Sequence, residues 1–112
     1  MPRFVILEHD WPSPHFDLML ESGDVLRTWR LQHMPVPCQP INAVPIGDHR
    51  LAYLDYEGPV GGGRGSVKRF DSGTYEIIEE SPKRLVTALH GDLINTNIEL
   101  QFSVQVGSTK PR

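Results

Sequence analysis

Short apolar runs rich in Val, Ile, Leu, Phe, Tyr and Thr recur between clusters of Gly, Pro, Asn and Asp, and several alternate with polar residues at a period of two. That pattern is the signature of an all-β sandwich or barrel, and no stretch carries a convincing helical period. Strands are predicted over residues 3–9, 15–21, 25–31, 50–57, 66–70, 74–79, 84–90 and 97–106. Ser22-Gly23-Asp24 and Asp71-Ser72-Gly73 read as tight hairpin connections in which glycine is free to take positive φ. Neighbouring strands are therefore expected to pair antiparallel.

Two stretches break the pattern. Between Gln32 and Asp48 the prolines 35, 37, 40 and 45 crowd into eleven residues, which predicts a long ordered loop rather than a strand. Residues 58–65 are glycine-rich, and their amides can approach an anion closely. They lack the Lys-Ser/Thr ending and the following helix of a phosphate-binding P-loop, so a hairpin tip is expected.

With 112 residues there is room for one domain and one core, placed here at residues 1–106 with a tail at 107–112. No run approaches the roughly 18 apolar residues that span a bilayer. The opening MPRFVILEHD reads as a first strand rather than a secretion signal, and the expected location is the cytoplasm. A single cysteine, Cys38, excludes an internal disulfide framework and a cysteine-rich zinc site, so any metal must be held by His, Asp or Glu. A formal charge of −3 argues against extensive duplex contacts, but not against a compact site for a strand end. The basic groups Arg64, Lys68, Arg69 and Lys83, Arg84 read as solvated faces.

Against that background residues 9–17, HDWPSPHFD, stand out. Side chains at i and i+2 share a strand face, so His15 and Asp17 project together while Phe16, Leu18 and Leu20 point to the core. A turn stiffened by Pro12 and Pro14 can return His9 beside His15 if the flanking strands pair antiparallel. Two imidazoles and a carboxylate suit Mn²⁺, Zn²⁺, Fe²⁺ or Co²⁺ and leave coordination positions open, as a catalytic centre requires. Glu8 and Asp10 are the expected acceptors for imidazole N–H groups. The spacing alone also fits an ordinary polar corner in which the histidines cap a turn.

Beyond the spacing, Glu8-His-Asp-Trp-Pro-Ser-Pro-His-Phe-Asp-Leu-Met-Leu-Glu21 resembles the "K-H-x-A-S-x-L-H-Y-D-x-R-L-E" segment of the 3′-phosphoesterase domain of bacterial DNA ligase D and its small stand-alone relatives. Val25-Leu-Arg-Thr-Trp-Arg-Leu31 is similar to that family's "V-L-K-S-W-A-V", and Asp48-His-Arg-Leu-Ala-Tyr-Leu-Asp-Tyr-Glu-Gly58 to "D-H-P-L-D-Y-x-D-F-E-G". Phe70-Asp-Ser-Gly-Thr-Tyr-Glu76 and Leu89-His-Gly-Asp-Leu93 continue the likeness in the same order. The resemblance implies an antiparallel β-barrel of about eight strands with long loops, and a divalent-metal enzyme, usually with Mn²⁺. Such an enzyme removes a 3′-terminal ribonucleoside and then the 3′-phosphate from DNA ends during repair. It puts the metal ligands on His9, His15 and Asp17 and the phosphate-side groups on His49 and Tyr53.

The chain departs from the family around the phosphate, with Leu7, Met19 and His33 where Gln, Arg and Lys are usual, and Ile41 near a further arginine. Because phosphoryl transfer depends on positioning and charge stabilisation, that loss costs rate unless charge comes from Arg30, Arg50 or Arg64. Substrate-binding roles are accordingly assigned to Arg30, His33, Arg50 and Arg64. The expected metal is Mn²⁺, with Zn²⁺ or Co²⁺ as alternatives. The expected partners are DNA or RNA-containing DNA 3′ ends and separate ligase or polymerase repair proteins, with the chain itself a monomer and no membrane involved. One alternative is a non-catalytic metal-binding module for DNA ends on the same fold. A small non-haem iron oxygenase is a more distant one, since H-x-D is also half of that facial triad. Trp11, Trp29 and Tyr75 are read as core aromatics, and His90 as structural or exposed.

Overall fold

The computed structural model describes residues 1–37 and 39–102; Cys38, the far end of the last expected strand and the expected tail at 107–112 lie outside the described residues. The elements are β1 (Arg3–His9), β2 (His15–Ser22), β3 (Val25–Leu31), β4 (Ile41–Arg50), a 3₁₀ turn (Leu51–Leu54), β5 (Gly58–Pro59), β6 (Ser66–Glu80), β7 (Arg84–Gly91) and β8 (Asn95–Phe102). One sheet runs in the order β1-β2-β3-β4-β8-β7-β6-β5, and an additional β1–β6 pairing closes it into a ring with the short β5 appended to β6. The chain thus forms the expected all-β barrel of about eight strands. Pairing is antiparallel except between β4 and β8, which run parallel over Ile41–Ala43. No helix among the described residues is long and apolar enough to cross a membrane.

The strand period of two sorts the side chains of β1–β3 onto two faces. Phe4, Ile6, Leu18, Leu20, Trp29 and Leu31 fill the barrel interior. Val5, Leu7, Met19 and Leu26 point outward, where water would meet them, but Leu54 of the 3₁₀ turn and Val67 of β6 pack over them, with Leu51, Tyr53 and Val60 at the rim. β1 and β2 are therefore buried on both faces, which accounts for their unbroken apolar runs. Each such side chain taken fully from water contributes about 1.5–3 kcal/mol.

Three expectations are corrected. The proline-rich stretch was expected to stay a loop to Asp48, yet its second half is β4, where Ile41 and Ala43 are buried and Asn42 and Val44 exposed. Past Ala43 this strand pairs only with β3, so Pro45 sits on a stretch with one open edge, where a missing N–H is tolerated. The strand expected over 50–57 is instead the 3₁₀ turn and a loop, because burying Leu54 on the outer cluster outweighs a weak strand pattern. The hairpin expected at Asp71-Ser72-Gly73 is the middle of the continuous β6, which pairs with β1 through its first half and β7 through its second.

Gly73 is used there for closeness rather than for positive φ. A Cβ at this position would lie 2.0 Å from the carbonyl oxygen of His90 on β7, a backbone atom that cannot swing away. Gly73→Ala is expected to lower stability by about 2–3 kcal/mol. Urea unfolding checks this, and an unchanged midpoint would show that β6 and β7 separate without cost.

Candidate metal centre

His9 ends β1 and His15 begins β2, and the antiparallel register makes them direct partners. The Trp11–Pro14 turn, with a cis bond before Pro12, connects them. Asp17 follows His15 on the same outward face, so the three side chains converge beside the outer apolar cluster, and one donor atom from each lies within 4.8 Å of the others. His9 Nδ1 is 3.3 Å from Asp17 Oδ2, and His15 Nε2 is 3.2 Å from Asp17 Oδ1. His15 and Asp17 are buried, while His9 is part-exposed and opens the site to the surface.

Hydrogen bonds fix which nitrogen faces the carboxylate. His9 Nε2–H donates to the carbonyl of Arg64 at 2.9 Å, and His15 Nδ1–H donates to the carbonyl of Ser13 at 2.8 Å. In the neutral imidazoles, His9 Nδ1 and His15 Nε2 therefore present lone pairs to the lone pairs of Asp17. His15 Nε2 and Asp17 Oδ1 are accordingly buried with no hydrogen-bond partner. Facing lone pairs repel; a cation among them turns the repulsion into coordination. The two separations also suit adjacent ligands of one ion at about 2.0–2.2 Å from each. The donor set fits a divalent metal, and the backbone carbonyls take the supporting role expected of Glu8 and Asp10.

Asp10 anchors the glycine loop instead. Its carboxylate accepts the Ser66 amide N–H at 2.8 Å and the Ser66 hydroxyl, and the hydrogen bond from the amide holds its pKa below the usual carboxylate range. Gly65, at φ +72°, passes so close that a Cβ would meet Asp10 Oδ1 at 2.2 Å. This approach delivers the Arg64 carbonyl to His9. No spacing rule in the sequence links residues 9 and 64, so this support is visible only in the fold.

His9 and Asp17 of the triad line a cleft of about 210 Å³ together with Arg30, His49, Tyr53 and Arg64, while His15 lines a neighbouring pocket with His9. His49 and Tyr53 stand edge to face with ring centroids 5.6 Å apart. His49 Nδ1–H donates to the Gly47 carbonyl at 2.8 Å, which leaves Nε2 for other chemistry. Two assigned residues lie elsewhere. Arg50 lines an adjacent pocket with Tyr53 and Tyr56, and His33 is exposed on the proline-rich loop, its Nδ1 bonded to the Met34 carbonyl. The reading of Trp11 as a core aromatic is corrected: it is 43% exposed and lines the cleft, because it stands on the connecting turn outside the sheet. Trp29 and Tyr75 are buried as expected.

Comparison with known proteins places the chain among DNA repair proteins by similarity. Residues 7–105 match the DNA Ligase D 3'-phosphoesterase domain. The chain is 35% identical over 101 residues to the multifunctional non-homologous end joining DNA repair protein LigD of Mycobacterium tuberculosis, covering 82% of this chain and 13% of that protein. It is 30% identical over 83 residues to the corresponding LigD of Pseudomonas aeruginosa, covering 70% of this chain and 10% of that one. The match thus spans only a small part of the length of these relatives.

Proposed function

Because the chain belongs to the DNA ligase D 3′-phosphoesterase domain family, a family of DNA repair, we propose that it is a divalent-metal-dependent phosphoesterase that trims a 3′-terminal ribonucleoside and then the 3′-phosphate from DNA ends. The observation that carries this reading is the convergence of three buried or half-buried lone-pair donors on one face, two of which, on His9 and Asp17, share a cleft with His49 and Tyr53. His9 Nδ1, His15 Nε2 and an oxygen of Asp17 would hold Mn²⁺, or Zn²⁺ or Co²⁺ in its place. Such an ion, when bound, would supply Lewis-acid charge to a phosphate oxygen and favour deprotonation of the attacking oxygen.

The remaining work falls to the cleft. With Nδ1–H tied to Gly47, His49 Nε2 is the atom that donates to a phosphate oxygen when protonated, or passes a proton to the leaving oxygen. The Tyr53 hydroxyl orients the phosphate and is itself fixed by packing on the rim of the outer cluster. A monomer acting on DNA ends in the cytoplasm, alongside ligase and polymerase repair activities, is the setting this reading implies.

One observation favours a second reading. Leu7 and Met19 are 0% and 1% exposed, and they extend the apolar cluster where phosphate-binding charge would otherwise stand. A module that binds DNA ends with its metal but turns over slowly follows from that. An end-labelled DNA strand with one 3′-terminal ribonucleotide, incubated with Mn²⁺, separates the two. Shortening to a 3′-OH product is expected. Binding of the strand without any product would sink the enzyme and leave the module.

A further inference from the structure

Of the arginines of this barrel, Arg3, Arg27 and Arg84 are engaged with carboxylates, while Arg50, Arg64 and Arg69 stand in water and make no ion pair among the described residues. Arg3 pairs with Asp55 at 2.8 Å, Arg27 with Glu80 at 2.5 Å, and Arg84 with both Glu79 and Glu99. Arg30 differs. It is part-buried on β3, opposite Asp17 in the β2–β3 register, and it lines the cleft beside the triad. Its Nε is buried without a hydrogen-bond partner. Its guanidinium makes no ion pair among the described residues, although a buried carboxylate is its cross-strand neighbour.

An unpaired buried N–H on a cation is costly, and the cost is relieved by an anion that accepts from it. Three features define that anion. The cleft is smaller than the roughly 300–1,000 Å³ of sites that enclose a drug-sized ligand, so a terminal group fits and the rest of a larger molecule stays outside. A second guanidinium reaches the same space from the glycine loop: Arg64 is held by its Nε–H on the Gly61 carbonyl at 2.7 Å, with no terminal nitrogen bonded among the described residues. His49 and Tyr53 line the same space and add donors for an anion with several exposed oxygens. A phosphate monoester meets all three conditions, since guanidinium donors match its oxygens in pairs.

We propose that Arg30 receives the terminal phosphate of a nucleic-acid strand, beside the triad, with Arg64 as a second contact. This assignment rests on the proposed function for the identity of the strand. It moves the phosphate-binding charge onto β3, the neighbour of the β2 position where Met19 is committed to the apolar cluster.

The test uses metal-free protein in EDTA, titrated with one oligodeoxynucleotide ending in a 3′-phosphate and the same strand ending in a 3′-OH. Trp11 reports occupancy, because it lines the cleft while Trp29, the other of the two tryptophans, is buried. The wild-type chain is expected to prefer the phosphorylated strand. Arg30→Met is expected to lose about tenfold to hundredfold in affinity for that strand, with no change for the 3′-OH strand and no loss of Mn²⁺ affinity measured by electron paramagnetic resonance. Should Arg30→Met not fold, Arg30→Lys carries the test, with a several-fold loss confined to the phosphorylated strand. An absent preference in the wild type, a variant that binds like the wild type, or a parallel loss for both strands and Mn²⁺ each overturns the assignment. Arg30-dependent binding without Mn²⁺-dependent product would defeat the proposed catalysis and leave Arg30 in place. Normal turnover by Arg30→Met would do the reverse.

Discussion

Asp17→Asn is expected to abolish Mn²⁺-dependent turnover, by about a thousandfold or more, while leaving the metal-free protein at least as stable as the wild type. The two halves of this result come from one geometric fact. His9 Nδ1 and His15 Nε2 offer lone pairs to Asp17 because their other nitrogens donate to the carbonyls of Arg64 and Ser13. An asparagine amide in the same place donates N–H to one of those lone pairs and removes a buried charge, so the empty site gains a hydrogen bond of about 1 kcal/mol. The same amide is a neutral and poorer metal ligand. Thermal melts with and without Mn²⁺ read both effects: the wild type rises with Mn²⁺ through binding to the folded state, and Asp17→Asn does not. If both imidazoles were instead protonated and ion-paired, removing the charge would leave buried cations uncompensated and cost about 3–5 kcal/mol. A loss of that size in metal-free Asp17→Asn would therefore reject the metal centre. His15→Ala should lose metal response as well, but it leaves a cavity and cannot make this distinction.

How much of this was legible in the sequence depends on whether the signal was local. The strand period placed His15 and Asp17 on one face and sent Phe16, Leu18 and Leu20 the other way, as the burial shows. What a period cannot register is a second layer. β1 and β2 are apolar on both faces because the 3₁₀ turn covers the outer one, and the residues of that turn, Leu51 to Leu54, read as a strand for the same reason. Likewise the proline count hid β4, since local composition does not say that one edge of the strand stays open beyond Ala43. In the site, the residue types were readable but their engagement was not. Arg30, Arg50, Arg64 and His33 looked equivalent as nearby cations, and only the fold separates two that line the cleft from two that do not. The carbonyls of Ser13 and Arg64, which set both tautomers, belong to backbone that no side-chain motif can announce.

Asp71 is a further case, and Asp71→Ala is expected to be the most damaging single change to the fold, lowering stability by about 3–5 kcal/mol. As a turn residue it would be exposed and replaceable, whereas in β6 it is 3% exposed. Its Oδ1 accepts the amide N–H groups of Ser72, Asp92 and Leu93 at 2.9, 2.9 and 3.1 Å, and its Oδ2 accepts that of Ile94 at 2.8 Å. One carboxylate thus satisfies the backbone of the connection between β7 and β8, where no partner strand is available to do so. Alanine removes the acceptor and leaves those donors competing for water in a part-buried turn, each lost charge-assisted bond counting for about 1.5–3 kcal/mol before relaxation. Asn in place of Asp71 should recover roughly half, because one oxygen still accepts while the amide N–H₂ faces a donor at the other position. Chemical denaturation of the two variants gives the ordering wild type, Asn, Ala. Equal midpoints for Ala and the wild type would mean that the β7–β8 connection is held by its strands alone. A fall in which Asn is no better than Ala would assign the stabilisation to the charge rather than to the hydrogen bonds it accepts.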